Sequence, residues 1–176
     1  SEFSWTVPFK KDTQFWLGHT RKTTQGSADK NQNNHPFLSE DKDFVLAHNG
    51  SIRNDKYLKQ EWELPETNIE TDSYVAVQLL EMVQYMYQED SLNLDIIQEV
   101  CEMIYGTFAL TIMDEDNLYL LRHKKPLNMV YDGENIIYAS TEEIINEGFE
   151  FLGEGNPMEY MGTIITEIKE DTIYKF

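Results

Sequence analysis

Apolar residues that recur at helical spacing predict two amphipathic helices in the middle of the chain. The first covers residues 72–88, with Thr71 or Asp72 as its N-cap and an apolar stripe of Val75, Ala76, Leu79, Leu80, Val83 and Met86 or Tyr87. The second covers residues 94–104, where Ile97, Val100, Cys101 and Ile104 share one face, and Gly106 is expected at its C-terminal end. Both stripes are typical of helices that pack one side against a core.

Short β-type segments lie on both sides of this helix pair. Before it, residues 15–18 and 43–47 are predicted strands separated by a polar loop at 20–34, and Asn49-Gly50 is a predicted turn. After it, turn sequences separate the predicted strands 107–113, 118–122, 127–131, 135–139, 163–168 and 172–176, with a short helix at 141–146. The pattern predicts an α+β domain in which antiparallel strands enclose an inserted helix pair.

Length and composition restrict the class of protein. The chain has 176 residues, the size of one domain, and 40% of them are hydrophobic, which is enough for a core. No apolar run is long enough for a membrane span, and residues 1–6 do not resemble a secretory signal.

The single cysteine, Cys101, excludes an internal disulfide and indicates a reducing compartment, so we expect a soluble, cytoplasmic protein. Its position predicts a buried small hydrophobe rather than a reactive thiol.

The charge is strongly acidic. A net charge of −18 argues against nucleic acid and anionic membranes as partners. A DNA mimic would also be acidic, but its carboxylates would form a regular double row on one face. Here the acids are scattered along the chain, which is typical of a solvated surface.

Polar clusters occur where predicted strands end or helices begin. Arg21 lies in the first cluster, Asn49-Gly50 in the second and Asp72 in the third. An arginine, a carboxylate and an amide beside a glycine can together hold a zwitterion and a developing oxyanion. Helix caps and turns explain Asp72 and Asn49-Gly50 separately, so spacing alone leaves both interpretations open.

The order of these clusters resembles a known family. Gly-His-Thr-Arg-x-x-Thr-x-Gly, Asn-x-His-Pro-Phe, His-Asn-Gly-x-Ile-x-Asn and Thr-Asp follow one another as in the glutaminase domain of class II glutamine amidotransferases. Residues 105–110, 120–127 and 138–140 also resemble segments of that family, so the likeness covers residues 15–176. It implies the αββα sandwich of the N-terminal-nucleophile hydrolases, built from antiparallel sheets.

The resemblance also implies roles for individual residues. Arg21 would bind the α-carboxylate of glutamine with help from Thr24, and Asp72 would hold the α-ammonium. The Asn49 side chain and the Gly50 backbone N–H would form the oxyanion hole. No metal or cofactor is implied, and His19, His35 and His48 are expected to make structural hydrogen bonds. His123, in a basic turn, is expected to be exposed.

The sequence departs from the family at its catalytic residue. The family uses an N-terminal cysteine as nucleophile, whose own α-amine is the base. The stretch between Ser1 and Gly18 is too short for the two strands and the helix that the family places there, so Ser1 matches no nucleophile position. We expect residues 1–14 to be a separate N-terminal segment, whose first three residues can be a remnant of cloning, before a domain at 15–176.

Two explanations of the missing cysteine stay open. Either the cysteine belongs to a longer protein, which would hydrolyse glutamine to glutamate and ammonia, or the protein has lost it. The alternative function is a non-catalytic interaction or regulatory protein on the same sandwich. Because a sandwich incomplete at its N-terminus has an open edge, we expect a second chain, a homo-oligomer contact or the apolar residues Phe3, Trp5, Val7 and Phe9 to cover it.

Overall fold

The computed structural model describes residues 15–20, 26–27, 29–131, 133–152, 162 and 164–176. The strands are β1 (Phe37–Leu38), β2 (Phe44–Ile52), β3 (Gly106–Asp114), β4 (Leu118–His123), β5 (Asn128–Tyr131), β6 (Ile136–Ala139), β7 (Thr166–Glu167) and β8 (Tyr174–Lys175). The α-helices are α1 (Asp55–Glu61), α2 (Tyr74–Tyr87), α3 (Leu94–Met103) and α4 (Glu142–Leu152). The predicted N-terminal segment 1–14 lies outside the described residues.

Two antiparallel sheets form the centre of the fold. The first has the order β1-β2-β3-β4-β8, and the second has the order β6-β5-β7. In the first sheet Gly50 pairs with Phe108, and Asn49 pairs with Ala109. Because consecutive residues of a strand face opposite sides of a sheet, the first pair lies on one face and the second pair on the other.

Three apolar clusters separate four layers. Leu110, Ile112, Tyr119 and Leu121 of the first sheet pack against α2 and α3. On the opposite face of that sheet, Ala109, Leu118 and Leu120 pack against Met129, Ile136 and Tyr138 of the second sheet. Val130 of β5 then packs against Ile145 and Phe149 of α4. The order helix, sheet, sheet, helix confirms the predicted αββα sandwich.

The helix pair is confirmed, but its ends differ from the prediction. Neither Thr71 nor Asp72 caps α2, since the N-cap position is Ser73 and its side chain makes no capping hydrogen bond. Asn93 caps α3 by accepting from the backbone N–H groups of Asp95 and Ile96. The C-cap of α3 is Ile104, which has an extended conformation. Gly106 begins β3 instead of ending the helix.

One strand prediction and one turn prediction are wrong. Residues 15–18 have no regular secondary structure. The predicted turn at Asn49-Gly50 does not occur, because β2 continues through both residues to Ile52. Helix α1 and strand β1 were not predicted, and the helix predicted at 141–146 extends to Leu152. Among the described residues, no helix combines the length and the apolar character needed to cross a membrane.

Candidate functional site

A cavity of about 680 Å³ lies where the two sheets meet the start of α2. Its walls come from the β2 segment 47–50, from Ala109 and Thr111 of β3, and from the 71–73 segment. Leu127 and, from the second sheet and the segment that follows it, Tyr138 and Ser140 form another wall, and residues 17–20 also line the cavity. The volume is in the range of small-molecule sites.

Asn49 and Gly50 both line this cavity as consecutive residues of β2. Asn49 is exposed, while Gly50 has φ of +150°, a conformation that L side chains rarely adopt. A Cβ on Gly50 would lie 1.9 Å from the carbonyl oxygen of Thr107 and 2.8 Å from Cα of Phe108. The glycine is therefore required by its close approach to β3, in addition to any role toward a ligand.

Asp72 lines the same cavity from the segment before α2. It is buried, and its Oδ2 accepts a hydrogen bond of 2.6 Å from the backbone N–H of Ile52. This bond joins the end of β2 to the start of α2, because residues 52 and 72 are far apart in sequence. It fixes the carboxylate at the cavity wall, and it explains why Asp72 is not free to cap the helix.

The three histidines near these motifs also gather at the cavity. His19 Nε2 and His35 Nδ1 are 3.1 Å apart, and the rings of His35 and His48 have centroids 6.4 Å apart. His48 Nδ1 lies 2.8 Å from Oγ of Ser73. Burial lowers the pKa of His48 from 6.5 to about 4, against the opposing influence of Asp72. His48 is therefore neutral at pH 7.

Arg21 and Thr24, the predicted partners of an α-carboxylate, lie outside the described residues. Of the described residues that line the cavity, Lys125 is the one lysine or arginine. Lys125, Thr111 and Ser140 also line the cavity, and no role was predicted for them. The segments 120–127 and 138–140 carried the family resemblance, and that was the signal for Lys125 and Ser140. For Thr111 the sequence offered only its spacing: it lies two positions after Ala109 in a predicted strand and therefore on the same face.

Cys101 lies on the other side of the first sheet. It packs with α3 against the cluster between helices and sheet, whereas the cavity is lined by the opposite face of β3. Burial, with smaller contributions from Asp171 and Glu102, raises the pKa of its thiol to about 12. The predicted inert role is consistent with both observations, and Cys101 is not placed to attack a ligand in the cavity.

Sequence comparison identifies relatives of the chain. A glutamine amidotransferase domain family matches residues 19–147. Glutamine–fructose-6-phosphate aminotransferase (isomerizing) of Lactococcus lactis is 30% identical over 141 residues, covering 77% of this chain and 23% of that protein. The enzyme of the same name from Staphylococcus epidermidis is 35% identical over 132 residues, covering 72% and 21%. The chain thus spans less than a quarter of the length of these relatives.

Solved structures share the fold. Glutamine phosphoribosylpyrophosphate amidotransferase from B. subtilis superposes with a TM-score of 0.59 at 20% identity, over 85% of this chain and 32% of that one. A predicted glutamine amidotransferase from Pseudomonas aeruginosa gives 0.53 at 18% identity, over 83% and 63%. With the family match over most of the chain and the αββα layers, these comparisons confirm the resemblance: the chain belongs to the class II glutamine amidotransferase family, among the N-terminal-nucleophile hydrolases.

Proposed function

We propose that the cavity binds glutamine, and that in the complete protein the bound glutamine is hydrolysed to glutamate and ammonia. One observation carries this proposal: Asn49, Gly50 and Asp72, from two separate stretches of a glutamine amidotransferase domain, line a single cavity. A structural role for each residue alone does not require that they share a cavity.

Asn49 and Gly50 would stabilise the reaction's oxyanion. When a nucleophile adds to the side-chain amide of glutamine, the carbonyl oxygen gains a negative charge. The Asn49 amide and the Gly50 backbone N–H would donate hydrogen bonds to it, and the loss of one such donor costs about 2.7–4 kcal/mol of barrier. Both groups lie on a strand within the first sheet, so little reorganisation is needed.

The two charged ends of glutamine would fix its orientation. Asp72 would accept from the α-ammonium, and its bond to the Ile52 N–H keeps the carboxylate from turning away. Arg21 would bind the α-carboxylate in a forked arrangement, with Thr24 assisting. Lys125 is a second cation at the wall. Its charge would add a longer-range attraction without the geometry of a guanidinium.

The nucleophile would be an N-terminal cysteine thiolate that these 176 residues do not supply. Cys101 is excluded by its position and its raised pKa. The thiolate would add to the amide carbon, ammonia would leave with a proton from the cysteine α-amine, and water would then hydrolyse the thioester. We therefore expect no glutamate release from this chain alone, measured by a coupled glutamate assay.

Thermal unfolding with and without glutamine tests the binding proposal. A ligand that binds only the folded state at a hundredfold excess over Kd raises the free energy of unfolding by about 2.7 kcal/mol. Asp72→Asn should abolish most of the shift, because it removes the charge while an amide oxygen still accepts from the Ile52 N–H. Arg21→Gln should also abolish it, and Lys125→Gln should retain most of it.

Asp116→Asn, in the exposed turn after β3, is the matched control and should retain the full shift. If Asp72→Asn retains the shift, the role assigned to Asp72 is wrong. If millimolar glutamine leaves the unmodified chain unaffected, the non-catalytic interaction protein on the same sandwich becomes the better interpretation. Glutamate release by the chain alone would contradict the assignment of the nucleophile.

A further inference from the structure

A group of side chains that could ligate a metal ion lies at the end of β4, away from the cavity proposed to bind glutamine. His123 Nδ1, one Glu170 oxygen and one Asp171 oxygen all lie within 4.8 Å of one another. We propose that these three side chains bind a divalent d-block cation of the Zn²⁺ type. The site is separate from the cavity proposed to bind glutamine, because none of the described residues that line one cavity lines the other.

The distances suit coordination after small side-chain movements. His123 Nδ1 is 2.7 Å from Oδ1 of Asp171 and 3.9 Å from Oε1 of Glu170. Zn²⁺ binds imidazole nitrogen and carboxylate oxygen at about 2.0–2.2 Å, so ligand atoms in a tetrahedral site are about 3.4 Å apart. The two observed distances lie on either side of that value.

Backbone hydrogen bonds hold the Glu170 carboxylate and the Asp171 main chain beside β4. Oε1 of Glu170 accepts a hydrogen bond of 3.0 Å from the Lys124 N–H, and the Asp171 N–H donates to the Arg122 carbonyl at 3.0 Å. On the other side, the His123 ring lies against Phe108 with centroids 5.5 Å apart. The Glu170 carboxylate, the Asp171 main chain and the His123 ring are therefore held near one another before a cation binds, which reduces the entropic cost of binding.

Two carboxylates face the His123 ring. Within the described residues, the ion pairs of Glu170 and Asp171 are made with His123 alone. The nearby guanidinium of Arg122 is engaged elsewhere, by Glu167 at 3.2 Å and by the Ile168 carbonyl. An imidazole with two carboxylates selects d-block ions over Mg²⁺ or Ca²⁺, which prefer oxygen ligands alone.

The site opens onto a cavity of its own. His123 and Asp171 line a space of about 610 Å³ whose apolar wall includes Phe108, Leu121 and Ile173. Three protein ligands leave a fourth position of a tetrahedral Zn²⁺ for water or a small ligand. The cavity gives the ion an access route and gives that fourth ligand room.

Equilibrium dialysis of the chain against Zn²⁺ tests the proposal, with Co²⁺ absorption as a second readout of an imidazole and carboxylate environment. We expect one ion per chain that depends on His123. His123→Ala should weaken binding at least about tenfold. Asp171→Asn should also weaken it, and it keeps the size of the side chain, so this variant remains informative if His123→Ala unfolds. Circular dichroism checks folding in each case.

The matched control is the acidic surface of α4, where Glu142→Gln with Glu147→Gln removes two charges without touching the site. This double variant should bind Zn²⁺ as the unmodified chain does. Three results would overturn the proposal. They are no stoichiometric binding, equal binding of Ca²⁺, or binding that survives in His123→Ala and is lost in His35→Ala, which would place the ion at the other histidine cluster.

Discussion

Gly50 and His48 occupy alternate positions of β2, and the structure restricts each of them in a different way. Gly50 is fixed by sterics, because β3 leaves no room for a Cβ and φ is +150°. His48 is fixed by its surroundings, because it is buried beside Ser73 and Asp72. Both residues shape the cavity wall, so the site depends on strand packing as much as on the chemistry of its side chains.

Gly50→Ala is expected to destabilise the fold by at least about 2 kcal/mol, because the new methyl group would overlap the β3 backbone and φ would be strained. The measurement is the free energy of unfolding in urea. Gly148→Ala is the control: a Cβ there meets nothing within 4 Å, and alanine in a helix should stabilise by up to about 1 kcal/mol. An unaffected Gly50→Ala protein would contradict the close approach.

The lowered pKa of His48 leads us to expect that the stability of the fold depends on pH. The folded protein keeps His48 neutral down to a pKa of about 4, whereas the unfolded chain takes up the proton near pH 6.5. The unfolded state therefore binds more protons between these values, and stability falls as the pH drops from about 6.5 to 4, by up to about 3 kcal/mol. This contribution is fully present above pH 6.5.

Urea unfolding between pH 7.5 and pH 4 measures it, with His48→Asn as the comparison. The carboxylates titrate in both proteins, so the difference between the two curves reports His48. The stability of the unmodified chain should fall more steeply below pH 6.5. Parallel curves would show that His48 is protonated in the folded state as easily as in the unfolded chain.

At the scale of elements, the starts of α2 and α3 serve different purposes. Asn93 caps α3 through two backbone N–H groups. Before α2, Asp72 and Ser73 are directed to Ile52 and His48 instead, and α2 begins without a side-chain cap. The polar groups that would ordinarily stabilise a helix end are thus used to build the cavity, and tertiary packing of the apolar stripe holds α2 in place.

Asn93→Ala should lower the free energy of unfolding by about 1 kcal/mol, because two N–H groups at the start of α3 lose their acceptor. Asn93→Asp keeps an acceptor oxygen and should stay within a few tenths of a kcal/mol of the unmodified chain. Chemical denaturation measures both. Equal losses in the two variants would show that the amide has a role other than capping.

At the scale of the whole molecule, the first sheet separates two regions of different character. Its inner face, toward the second sheet, carries Asn49, Ala109 and Thr111 and borders the cavity proposed to bind glutamine. Its outer face carries Phe108 and Leu121, which border the second cavity with Cys101 and His123. Phe108 and Ala109 are neighbours in β3, so one strand forms a wall of both.

The sequence by itself determined the helix pair, most of the strands and the family. The apolar stripe of Val75, Leu79 and Val83 has the helical period whatever surrounds it, and all three residues are buried. The order of the polar motifs identified Asn49, Gly50 and Asp72 as candidates. These signals are local in the chain, which is why they can be seen without a structure.

Only the tertiary structure decided what those residues do locally. Asn-Gly has strong turn propensity, but pairing with Phe108 and Ala109 of β3 holds both residues in a strand. Asp72 has strong capping propensity, but its carboxylate accepts a hydrogen bond from the Ile52 N–H instead of capping α2. His123 was expected to be exposed and is half-buried between Phe108 and Asp171. In each case the deciding partner is distant in sequence, and its distance and burial become fixed only when the sheets pack together.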